Sequence, residues 1–144
     1  MNETDKEDID SNSLMDGIAH DLAELQRAVK LQQQAARAGF DWAAPAPVLD
    51  KLQEETDELL AAMASGEAAQ VEDELGDLLF VVVNLARQLK VDPAAALCRA
   101  NAKFERRFRA LERLAGNRER LGMMALDEME ALWQQVKAAE YDAA

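Results

Sequence analysis

Apolar positions recur at helical spacing along almost the whole chain. Leu22, Leu25, Val29 and Ala36 share one face, which predicts a first helix over about residues 14–38, stopped by Gly39. Phe40 to Pro47 reads as a loop, because Pro45 and Pro47 disfavour helix in the residues before them. Pro47 suits the first turn of a second helix. Its apolar stripe runs through Val48, Leu49, Leu52, Thr56, Leu59, Leu60 and Met63 to a stop at Ser65-Gly66. A third helix is expected over roughly 68–89. Within it, Leu78 to Val83 looks like a buried strand when read alone. It sits, however, in a 20-residue stretch without turn signals, where Val71, Leu75, Leu78, Val82 and Leu89 keep helical spacing. We read it as a central helix, apolar nearly all round and therefore deeply buried. Asp92-Pro93 offers a cap followed by proline at the first helical position, opening a fourth helix to about Ala115. Gly116-Asn117 ends that helix, and a last one starts near Asp127, using Met129, Leu132, Trp133 and Val136. The pattern is all-α. No internal repeat or second domain is visible, so residues 13–141 read as one domain behind an acidic stretch, 1–12, expected to be disordered.

Composition narrows the function. The 144 residues are 49% hydrophobic, enough for one core of ordinary size. A formal charge of −12 argues against general attraction to DNA, RNA or an anionic membrane surface. A nucleotide would then bind only through cations and a local basic cluster. Cys98 is alone, which excludes an internal disulfide and a cysteine-rich zinc site. The N-terminal segment has neither a basic n-region nor an apolar h-region, and no apolar run approaches membrane-spanning length. A cytoplasmic protein, binding neither nucleic acid nor membrane, is the expectation.

Candidate chemistry lies in the acids. Glu54-Glu55-Thr56-Asp57-Glu58 and Glu74-Leu75-Gly76-Asp77 are separated by 15 residues between Glu58 and Glu74. Taking about 100° per residue, Glu55 falls on the edge of the second helix's apolar stripe, with Glu58 on the same flank and Lys51 one turn earlier. On the third helix Glu74 borders the stripe, Asp77 lies just outside it, and Asn84 follows along that flank. Antiparallel packing of the two helices would let four carboxylates converge. Acids beside a core are costly unless a cation neutralises them. Mg²⁺ is such a cation: it takes carboxylate oxygens and keeps sites for substrate phosphates. The plainer reading is two solvated helix faces, with Lys51 and Glu55 as an i, i+4 pair worth about 0.3 kcal/mol. Patterning alone leaves both open.

The motifs go further. Glu54-Glu55-x-x-Glu58 followed by Glu74-x-x-Asp77 is similar to the signature of the MazG family of all-α nucleoside triphosphate pyrophosphohydrolases. Leu14 to Ile18, Gly39-Phe40-Asp41-Trp42, Glu74 to Phe80, Val83-Asn84-Leu85-Ala86-Arg87, Lys103 to Phe108 and Leu132 to Lys137 also resemble the catalytic half of two-domain MazG proteins. The resemblance covers about residues 14–140 in a single copy; the first half of the longer proteins has no counterpart. It implies a four- to five-helix bundle, paired as a homodimer. The implied reaction is Mg²⁺-dependent hydrolysis of nucleoside triphosphates to monophosphate and pyrophosphate, with Mn²⁺ able to substitute, in clearing unwanted nucleotides. By position, Glu55, Glu58, Glu74 and Asp77 would hold the metal. Glu54 or Glu55 would serve catalysis, with Glu54 the first choice to accept the proton of the attacking water. Lys51, Asn84, Lys103, Arg106, Arg107 and Trp133 would line the nucleotide site.

Other readings compete. Arg forks suit phosphate oxygens; composition alone favours pairing of Lys103, Arg106 and Arg107 with Glu105 and Glu112 on the surface, and the motif resemblance reverses that preference. Trp42 and Trp133 could stack on a base or fill a core. His20 reads as exposed, and Cys98 as a small core residue. The same superfamily includes enzymes specific for dUTP, dCTP or phosphoribosyl-ATP. A di-iron bundle would need Glu-x-x-His pairs, which a chain with one histidine cannot supply. A catalytically dead helical adaptor is the last alternative, although every metal-position acid is intact.

Overall fold

A computed structural model describes residues 12–143; the expectation for the acidic first residues falls almost wholly outside that range. Among the described residues there are six helices and no strand: α1 (Glu24–Arg37), α2 (Pro45–Ser65), α3 (Ala68–Gln88), α4 (Pro93–Ala115), α5 (Arg118–Gly122) and α6 (Leu126–Asp142). Two compact units divide the chain, the first ending at Ala94 and the second beginning at Ala95.

In the first unit α2 and α3 form a helical hairpin, and α1 packs against α3. Pro45 occupies the start of α2 behind an extended Ala44, as the geometry before a proline requires. The expected loop is therefore two residues shorter than the proline count implied. Gly66, at φ 74°, ends α2 and opens the tight turn into α3. Val48 and Val83 are fully buried, with Ala62 and Val81 nearly so.

Three sequence expectations need correction. The first helix begins at Glu24, not near residue 14. Ser13 and Asp16 bond to each other's backbone, and Gly17 takes φ 82°, so this segment satisfies itself as a turn. The short α5 was not anticipated; Asn117, expected only as a helix stop, also caps it through Oδ1 and the Arg120 N–H at 2.8 Å. Finally, α3 is helical as expected but not deeply buried on every side. Leu75, Leu79, Phe80 and Val82 are exposed, whereas Val83 is only 1% exposed.

The second unit has its own core, Leu111, Leu121 and Val136, packed by Ala110, Ala115, Met124, Met129, Leu132 and Trp133. Asp92 accepts from the Ala94 N–H at 3.0 Å and opens α4 as the sequence indicated. Cys98 is exposed on that helix, contrary to the core role expected of it.

Candidate active site

The turn at Gly66 sets the register of the acids. Glu58 lies eight positions before it and Glu74 eight after; Glu55 and Asp77 lie eleven on either side. In an antiparallel hairpin of equal rise per residue, positions equidistant from the turn stand at equal height. Glu55, Glu58 and Glu74 accordingly each bring a carboxylate oxygen to within 4.8 Å of the others. Asp77 stands outside this close group and lines the adjacent cavity with Glu55.

The electrostatics of the group are unbalanced. Glu55 is only 6% exposed. Its Oε1 receives Lys51 Nζ at 3.2 Å, while Oε2 is buried with no partner; Glu74 Oε2 is in the same condition. A buried acceptor without a donor costs roughly 1–3 kcal/mol, and two like charges sharing a site raise that cost further. The Glu58 carboxyl is pushed above its ordinary value of 4.5, first by Glu55 beside it, then by loss of solvent and by Glu74. A divalent cation would relieve all three defects at once. The donors are oxygens only, which suits a hard ion such as Mg²⁺ or Mn²⁺. Glu54, in contrast, faces solvent: its Oε1 accepts from the same Lys51 at 3.1 Å, and it does not line the cavity.

Beside the acids opens a cavity of about 500 Å³. Lys51, Glu55 and Asp77 line it at the acid side, and Phe40, Trp42, Gln32, Asn84 and Arg87 line it elsewhere. Asn84 is buried, as its place on the acid-bearing flank of α3 allowed. Its Oδ1 accepts from Arg87 Nη2 at 2.9 Å. Sequence reasoning gave no role to Gln32, Asp41, Arg87 or Gln88, which form a polar network beside the cavity. The signal available was weak: Asp41 and Arg87 lay inside resembling motifs, with nothing to show that they meet.

The remaining expected site residues belong to the second unit. Arg106 Nη2 and Arg107 Nε hold Glu140 at 3.2 and 2.9 Å, so their partner is neither Glu105 nor Glu112. The Arg107 bond, with Arg106 assisting, holds the Glu140 carboxyl below its ordinary 4.5. Lys103 is exposed and lines a smaller cavity with Arg99 and Arg106. Trp133 packs at a tilt on Phe104, with ring centroids 5.6 Å apart, and borders the core of its unit. His20 is exposed, and its Nδ1 lies 3.4 Å from Arg27 Nη2.

Residues 44–111 match the family model of the MazG nucleotide pyrophosphohydrolase domain. The chain is 47% identical over 135 residues to a nucleoside triphosphate pyrophosphohydrolase of Escherichia coli K12, a match covering 91% of this chain and 51% of that protein. It is 37% identical over 120 residues to the nucleoside triphosphate pyrophosphohydrolase/pyrophosphatase MazG of Thermotoga maritima, covering 81% and 45% respectively. A Bacillus subtilis protein, YabN, shares 43% identity over 68 residues, which is 14% of its length. The chain thus spans about half the length of the curated pyrophosphohydrolases it matches.

Proposed function

We infer the activity from the premise that the chain carries a MazG nucleotide pyrophosphohydrolase domain: it hydrolyses nucleoside triphosphates to nucleoside monophosphate and pyrophosphate. The observation that carries this reading is the Glu55–Glu58–Glu74 cluster, with two orphaned buried oxygens, opening beside a cavity of about 500 Å³. Glu55, Glu58 and Glu74 would hold Mg²⁺, or Mn²⁺ in its place, with Asp77 of the cavity wall as the fourth carboxylate. When bound, the ion neutralises phosphate charge and stabilises the leaving pyrophosphate.

The chain's own residues supply the rest. Lys51 pairs with Glu54 and Glu55 and places an ammonium at the edge of the acid cluster, in reach of phosphate oxygens. Glu54 accepts the proton of the attacking water, directly or through one further water. Asn84 bonds the nucleoside in the cavity. Lys103, Arg106, Arg107 and Trp133 are assigned to the nucleotide on the strength of their motif.

No helix among the described residues is long and apolar enough to cross a membrane, and we place the enzyme in the cytoplasm, where it removes unwanted nucleotides as a homodimer. The test is a product assay on canonical and modified triphosphates, with Mg²⁺ and with EDTA. Monophosphate and pyrophosphate in equal amounts, lost with EDTA, are expected. Release of orthophosphate, or turnover unchanged by EDTA, overturns the reading.

A further inference from the structure

The polar network beside the cavity joins three separate pieces of the first unit. Arg87, on the last turn of α3, donates from Nε to Gln32 Oε1 of α1 at 3.0 Å. Its Nη2 donates to Asp41 Oδ1 and to Asn84 Oδ1, each at 2.9 Å, and Nη1 reaches Asp41 Oδ2 at 3.4 Å. Gln32 is itself buried and donates its Nε2 to the Phe80 carbonyl at 2.9 Å. Gln88, the next residue of α3, donates to Asp41 Oδ1 and to the Trp42 carbonyl at 3.2 and 2.8 Å. One planar guanidinium therefore ties α1, the loop carrying Phe40 and Trp42, and the Asn84 amide into a single arrangement. Lysine could not do this, because its ammonium is a point charge without the fork.

The network also fixes what the cavity offers. Gln32 spends both ends of its amide, one on Arg87 and one on Phe80. Asp41 faces Arg87, Gln88 and the Trp42 N–H. Because Asn84 Oδ1 is taken by Arg87, the amide is oriented with its Nδ2 donor left for a ligand. Phe40 and Trp42 supply aromatic surface in the same wall. Aromatic faces plus one fixed donor suit a planar heterocycle with an acceptor on its edge.

We propose that Arg87 is the positioning residue for nucleoside recognition: by holding Asp41 and Asn84 it sets the aromatic loop and the amide donor that grip the base. The proposal rests on the hydrolase reading for its substrate class but not for its test. Nucleoside monophosphates, which need no hydrolysis, are titrated calorimetrically in Mn²⁺ against the full chain, its Arg87→Lys variant and its Asp41→Asn variant. Helical content is checked by circular dichroism, and Mn²⁺ affinity is measured separately. Arg87→Lys is expected to weaken monophosphate binding at least tenfold, with Mn²⁺ affinity unchanged; Asp41→Asn weakens it less. With triphosphates, Arg87→Lys raises KM at least tenfold while kcat stays within about threefold, and its preference among bases flattens. Equal monophosphate affinity in a folded Arg87→Lys protein, or no monophosphate binding by the wild type at millimolar concentration, overturns the proposal. Arg87-dependent monophosphate binding without hydrolysis of any triphosphate supports the proposal and removes the hydrolase reading instead.

Discussion

A carboxylate oxygen buried without a donor, as at Glu55 and Glu74, is a cost the folded chain carries only where something else recovers it. Glu55→Gln or Glu74→Gln is therefore expected to abolish hydrolysis while leaving the cation-free protein at least as heat-stable as the wild type. Added Mn²⁺ should raise the melting temperature of the wild type and not of either variant; equal metal shifts in all three would refute the assignment. Glu54→Gln should act differently, lowering kcat at least tenfold with Mn²⁺ affinity kept, since Glu54 lies outside the close group. Unchanged kcat there returns the proton to another acceptor. Two carboxyls give opposite pH dependences. Glu58 has a raised folded value, so its charged form opposes folding, and cation-free stability should rise as pH falls through that value toward 4.5. Burial works to raise the Asp41 carboxyl, but Arg87, the Trp42 N–H and Gln88 together hold it below its ordinary 3.8. Its contribution is present above 3.8 and is lost as pH falls through the lower folded value. Chemical unfolding in EDTA should accordingly show greatest stability at mildly acid pH, and Mg²⁺ should move that optimum upward. No movement with Mg²⁺ would disconnect Glu58 from the metal. The acids were legible because i, i+3 spacing on a helix fixes which side chains share a flank. The Arg87 network was not, because Asp41 and Gln32 lie 46 and 55 positions from it, a distance that no local periodicity spans.

At the scale of elements, legibility followed how locally each decision is made. Helix stops were readable: Gly39 donates to Ala36 O and Phe40 to Ala35 O, the paired bonds of a left-handed C-terminal cap. The start of α1 was misjudged because apolar spacing continues through a segment whose Ser13 and Asp16 make competing local bonds. The run Leu78 to Val83 was rightly kept helical, since the length of α3 outweighed four β-prone residues, Phe80 to Val83. The end of α3 carries an anomaly of its own. Lys90 sits at φ 58° where a glycine is usual, while Val91 N–H reaches Ala86 O at 2.8 Å to complete the cap. A side chain in that conformation costs roughly 1 kcal/mol. Lys90→Gly should therefore stabilise the chain by up to ~1 kcal/mol in denaturant titration, less the greater freedom glycine has when unfolded. A destabilised variant would mean that the Lys90 side chain makes a contribution larger than the strain.

For the whole molecule the pressing fact is apolar surface. Leu75, Leu79 and Val82 stand at i, i+4 and i+7 on α3, which makes one stripe, and all three are exposed; Leu79 is 56% so. A chain with 31% charged residues is not short of polar ones to place there. We propose this exposed stripe as the face that pairs two copies of the chain, a two-fold pair being the commonest closed form. Val83, only 1% exposed, fills its own chain's interior, so a charge at that position tests folding and not assembly. Leu79→Glu and Val82→Glu are the informative substitutions. Full burial of such a side chain contributes about 1.5–3 kcal/mol, counted twice in a symmetric pair. Either variant should sediment as a monomer at micromolar concentration, with its helical circular dichroism retained and its activity reduced. Wild-type protein that sediments as a fully active monomer under the same conditions rules the homodimer out.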